Sequence, residues 1–290
     1  MRVETVVGTS RHDSLKTYRY LRIALVVLVV GLAASVVVEW LGTGPECLQV
    51  SISAYYYTPA QGMFVGALVA IGACLVILQG NTEWEDSLLN VAGMLAPVVA
   101  FVPTPYQENC YSAPVNADTQ AANVANNIAA LLVVAALGLA VAAVLGVRSR
   151  RPWTRLQRNG WLATVAAVSG TAALFHLDRS LFLDVGHYAA AVVMFGCIIV
   201  VVVLNALAYE RVTHSRMDRN PYAVVAVLMV VLPLVMGGVH LAVGWEHVVL
   251  WVEATLILLF AVFWVVQTRE LWGAGIRPAH AGPVDEGPTD

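Results

Sequence analysis

Glu39, His176, Asp178, Asp184, His187, His240, Glu246, His247 and Glu253 stand within, or at the ends of, long apolar stretches of this chain. An ionisable side chain inside a bilayer costs roughly 2.5–3.5 kcal/mol on insertion scales and turns toward a protein interior, water or a partner. Carboxylates mixed with imidazoles offer two chemistries, a proton or ion relay and metal ligation. Glu253 is the deepest of these residues, about 10 Å along its helix from Glu246 at 1.5 Å per residue. Glu246, Glu253, Phe260 and Gln267 recur at a spacing of seven and form one stripe that faces the bundle. His240 lies at a similar depth on the other side of the turn near Gly244, and so short a turn makes the flanking helices antiparallel. His240 is therefore the expected partner of Glu253. With Glu39, His187 and Tyr56, these two residues form the candidate ligand or relay set. The bland alternative is that they pair and hold helices in register.

A zinc site takes three or four N, O or S ligands, and His176, His187, His240 and Asp184 are the residues that would supply them. No H-x-x-x-H pair occurs on one helix, so neither a metal nor any other cofactor is assigned. The only lysine, Lys16, precedes the first apolar run, which rules out a retinal Schiff base. No P-loop, dinucleotide fingerprint, nucleophile elbow or haem motif occurs, and no catalytic residue is named.

The elements that must position these residues are read from hydropathy. The chain has 290 residues, 59% of them hydrophobic and 12% charged, with a net charge of -3 and a mean hydropathy of +0.73. Such a composition lacks the polar surface of a soluble domain, and its sparse cations give no nucleic-acid footprint. About 20 apolar residues span a bilayer as a helix. Eight runs qualify, at 21–41, 63–79, 87–102, 127–147, 161–177, 186–207, 223–245 and 247–267. The expected fold is an all-α transmembrane bundle over 21–268, preceded by a cytoplasmic segment at 1–20 and followed by a disordered cytoplasmic tail at 269–290.

Cations support that count by alternating sides. Arg2, Arg11, Lys16, Arg19 and Arg22, the RSRRPWTRLQR stretch, ERVTHSRMDRN and Arg269 fall on one side, leaving Arg179 on the other. The NTEWEDS loop belongs on the cation side yet holds only acids. On this topology the ionisable residues gather in the outer half, and the inner half holds almost none. Cys47 and Cys110 fall in the two long outer loops, where an oxidising environment would join them. Cys74 and Cys197 lie inside apolar helices. The tyrosines Tyr55, Tyr56 and Tyr57 suit an interfacial belt or a loop folded back as a wall.

SISAYYYTPAQGMFVGALVAIGACL, EDSLLNVAGMLAPVVAFVPT, GHYAAAVVMF and WVEATLILLFAVFWVVQ together resemble bacterial membrane proteins of the DUF998 type, distantly similar to the Frag1/DRAM/Sfk1 group. The resemblance implies a six-helix core with 127–177 as an inserted helical hairpin, a place in the bacterial cytoplasmic membrane, and a loose connection to lipid handling. It carries over no site residue. Three functions arise as expectations: binding of a lipid or amphiphile in an outward cavity among the first, sixth, seventh and eighth helices, or an accessory role; a transporter or channel using Glu253 and His240; and a metal-dependent lipid hydrolase. The expected partners are membrane lipids, with a further protein or a second copy in the membrane also admitted.

Overall fold

The computed structural model describes residues 2–106, 117–149, 153–213, 219–275 and 277, with the side chains of 2–14 and 117 excepted. Eight α-helices succeed one another: α1 (Arg2–Thr43), α2 (Gln61–Ile77), α3 (Glu83–Phe101), α4 (Ala117–Arg148), α5 (Arg155–Leu177), α6 (Arg179–Thr213), α7 (Pro221–Val243) and α8 (Val248–Glu270). No strand occurs among the described residues. Six of the helices are long and apolar enough to cross a membrane, all but α2, which has 17 residues, and α3, which opens on Glu83, Glu85 and Asp86. The inner end of the bundle is the one where α8 finishes, and the outer end is where α7 turns into α8.

The acids that lack cations in the second loop are explained by the start of α3. Thr82 caps the helix, its hydroxyl accepting the Glu85 amide at 3.2 Å, and Asp86 Oδ1 accepts the Gly80 amide at 3.1 Å. Carboxylates in a first turn also meet the positive end of the helix dipole. Asn220 caps α7 by accepting the Tyr222 and Ala223 amides, and Pro221 occupies the first turn where its missing N–H is not needed. Gly244, at φ 66°, closes α7 in the left-handed conformation and gives the expected tight turn into α8.

Three boundaries depart from the hydropathy reading. α1 runs back to Arg2, so the first segment continues the helix. α4 begins at Ala117, because ADTQAANVAN is rich in alanine and places Val124 next to Ile128 at helical spacing, both 1% exposed. The tail does not start as disordered chain: Leu271 is buried and Gly275, at φ 75°, turns the backbone beneath α1.

Helices α1, α2, α3, α6, α7 and α8 share one core that includes Leu25, Phe64, Leu89, Val201, Met229 and Phe263. Close backbone approach joins α2 to α3, where a Cβ added at Gly72 would stand 2.6 Å from the Gly93 carbonyl and the reverse also holds. Helices α4 and α5 lie at the periphery, each with only 6% of its apolar window buried, against 39% for α6 and α8. A small cluster of Val102, Val124, Ile128, Phe175 and Phe182 docks this hairpin at the outer end.

Candidate functional site at the outer end of the bundle

Loop 48–60 folds back over the outer end instead of projecting from it. The Leu250 amide donates to the Val50 carbonyl at 3.0 Å, His247 Nε2 lies 3.1 Å from the Leu48 carbonyl, and the Ile52 amide donates to Glu253 Oε2 at 2.6 Å. Glu253 thus faces the protein and has a polar partner, as its depth requires. That partner is a loop amide and not His240. His240 is exposed, with Nδ1 2.8 Å from the Trp245 carbonyl in its own turn. The antiparallel pair forms as its short turn requires, but rotation of α7 about its axis turns His240 outward.

The same loop reaches α3 and α4. Ser53 donates to the Thr104 hydroxyl at 2.9 Å, Tyr57 donates to the Thr104 carbonyl at 2.7 Å, and Gln120 of α4 donates to the Tyr57 hydroxyl. Burial pushes the Tyr57 phenol up to about 12, with the Gln120 hydrogen bond acting against that rise. Burial also raises Tyr56, whose ring stands edge-on to Tyr57 at a centroid distance of 5.5 Å.

Beside these tyrosines runs an outward cleft between α2 and α4. Its main chamber, about 450 Å³, has Gly62, Val65 and Gly66 of α2 on one wall and Asn123, Asn126 and Asn127 of α4 on the other, with Phe101 at the apolar side. A second chamber of about 240 Å³ shares Tyr56, Gln61 and Asn123 with the first and extends toward Thr119 and Gln120. Gly62 and Gly66 make this wall recede, since a Cβ at either would meet nothing within 4 Å.

The remaining candidates are dispersed. His187 is 2% exposed and donates from Nδ1 to the Val102 carbonyl at 2.6 Å, holding α6 to the end of α3. Glu39 is half-buried near the end of α1, while His176 and Asp184 are exposed. His176, His187, His240 and Asp184 come together in no group of three metal-ligating side chains among the described residues. Asp178 caps α6, and the Leu181 amide and Ser180 hydroxyl hold its carboxyl below the usual range. Cys74 and Cys197 are free thiols. Cys110 lies outside the described residues, and with it the expected pairing to Cys47.

Sequence reasoning left out the inner end, where a second polar assembly is buried. Glu85, 3% exposed, accepts Asn205 Nδ2 at 3.0 Å, Asn81 Nδ2 at 3.1 Å and Gln267 Nε2 at 3.4 Å. Arg22 donates to the Gly275 carbonyl at 2.6 Å. Arg277 pairs with Glu270 at 2.9 Å and donates its amide to Asn81 Oδ1 at 2.7 Å. Asn205 and Gln267 within apolar runs were the available signal, together with the one-turn spacing of Asn81 and Glu85. Asn123, Asn126 and Asn127 carried the same kind of signal for the cleft.

Fold and composition define a multi-pass α-helical integral membrane protein. In comparisons with protein families, with curated proteins and with solved structures, nothing matches this chain, so the resemblance to DUF998-type proteins gains no support there.

Proposed function

We propose that this membrane protein binds a lipid or other amphiphile in its outward-facing cleft. The supporting observation is the two-sided lining of that cleft: Asn123, Asn126 and Asn127 offer amides along one wall, while Gly62, Val65, Gly66 and Phe101 offer a receding apolar surface. The volume of about 450 Å³ falls in the range of small-molecule sites, about 300–1,000 Å³. An amphiphile matches both surfaces, with its headgroup on the amides and a chain along the glycines. The site lies among α2, α3 and α4, a different place from the one hydropathy suggested. On this reading the outer side faces an oxidising compartment, as in a cell-surface membrane, and Cys47 and Cys110 pair there.

Native mass spectrometry of the full chain released from membranes tests the proposal. Gly62→Leu with Gly66→Leu puts side chains into the cleft from positions where an added Cβ meets nothing within 4 Å, and it should remove the tightly retained lipid expected with the wild type. Equal lipid retention by both proteins would sink the proposal.

A further inference from the structure

We infer that the cleft selects an amphiphile whose headgroup is uncharged and rich in hydroxyls, such as a glycosyl diacylglycerol. This inference rests on the cleft being a lipid site and adds which lipid it takes.

Charge is the first argument. Neither chamber is lined by any Asp, Glu, Lys, Arg or His. The nearest cation on this side, Arg179, donates to the Ala121 carbonyl at 2.5 Å and is not part of the lining. A phosphate or ammonium brought into a half-dehydrated cleft loses solvation that only an opposite charge or several strong donors can replace. This lining offers no opposite charge, and its donors are the neutral amides of Gln61, Asn123, Asn126 and Asn127. An uncharged headgroup incurs no such penalty.

Hydrogen-bond inventory is the second argument. Asn123, Asn126 and Asn127 have no side-chain partner among the described residues, although they stand on a membrane-capable helix. Each amide has two donors and an acceptor that can take two hydrogen bonds, so the wall suits a ligand that both donates and accepts repeatedly. Hydroxyls do both, whereas a phosphodiester only accepts and the quaternary ammonium of choline has no N–H to donate. The three residues occupy one helical turn, about 6 Å of rise, a span that matches a single sugar ring. Gln61, which lines both chambers, adds a further amide.

The test presents the full chain in detergent with three lipids of identical acyl chains: a monoglucosyl diacylglycerol, phosphatidylglycerol and phosphatidylcholine. Native mass spectrometry reads the bound fraction. The glucosyl lipid should bind about tenfold more tightly than either phospholipid, the loss expected when polar groups of a site go unpaired. Asn123→Leu with Asn127→Leu should erase that preference and leave chain-dependent binding in place. A competition with the unaltered protein needs no variant: octyl glucoside should displace bound lipid at a lower concentration than octyl phosphocholine does. Equal binding of all three lipids, or preference for a phospholipid, overturns the headgroup inference and leaves the cleft as a lipid site, provided Gly66→Leu abolishes the binding. Binding that Gly66→Leu does not alter overturns both.

Discussion

At the inner end of the bundle the Glu85 carboxylate takes hydrogen bonds from half-buried Asn81 in the loop before α3 and from Asn205 and Gln267, and Glu85, Asn205 and Gln267 are almost fully buried among α3, α6 and α8. At the outer end the amides of Asn123, Asn126 and Asn127 face an open cleft instead of each other. Asparagine serves in both places, but its environments impose different roles. Where polar groups satisfy one another in a closed cage they cross-link helices, and removing one leaves the rest without partners. Where they line an open space with no partner, the missing partner must come from outside the protein. Chemically similar residues can therefore be sorted into scaffold and site by asking which are already paired.

Stability measurements can break or sharpen that contrast. Glu85→Ala should have the largest effect, about 3 kcal/mol in reversible unfolding from mixed micelles, because the carboxylate that joins the buried Asn205 and Gln267 amides and the half-buried Asn81 amide is removed. Asn127→Leu should cost nothing by the same measurement. If both cost the same, the distinction between cage and cleft fails.

Glu253→Leu comes next, with a loss of about 2 kcal/mol from the orphaned Ile52 amide. Glu253→Gln keeps an oxygen for that amide and should stay within about 0.5 kcal/mol of the wild type. A large penalty for the glutamine variant would mean that the charge, and not the loop contact, is what Glu253 supplies.

Glycines on the two parts of α2 provide a smaller comparison. Gly72→Ala should destabilise by roughly 1–2 kcal/mol, since its Cβ would stand 2.6 Å from the Gly93 carbonyl. Gly66→Ala meets open space and should be neutral or slightly stabilising through helix propensity. Melting temperatures of the two variants in one detergent decide this.

The smallest effect concerns pH. Tyr57 has a folded-state pKa raised to about 12 from 10.0, so its neutral form contributes stability that is present below pH 10 and lost as the pH rises toward 12. Difference absorbance between wild type and Tyr57→Phe should show no phenolate from this residue at a pH of about 10.5, between the two values. Ionisation there with an ordinary midpoint would mean that the loop is not packed as described.

Much of the architecture was legible one residue at a time. Apolar runs and alternating cations specified a polytopic helix bundle, the short turn at Gly244 made α7 and α8 antiparallel, and the stripe through Glu253 put Phe260 and Gln267 inside, although Glu246 at its start is exposed because it precedes α8. The depth of Glu253 also required a partner. What only the tertiary structure decided was the identity of each partner: Glu253 met Ile52, 201 positions away, and Glu85 met Asn205 and Gln267, 120 and 182 positions away. It also decided that α4 starts early enough to bring its asparagines opposite the glycines of α2. The physical reason is that hydropathy measures the transfer energy of a residue taken alone. A hydrogen bond depends on the rotation of each helix about its axis and on which neighbour stands beside it, and those are properties of the packed bundle.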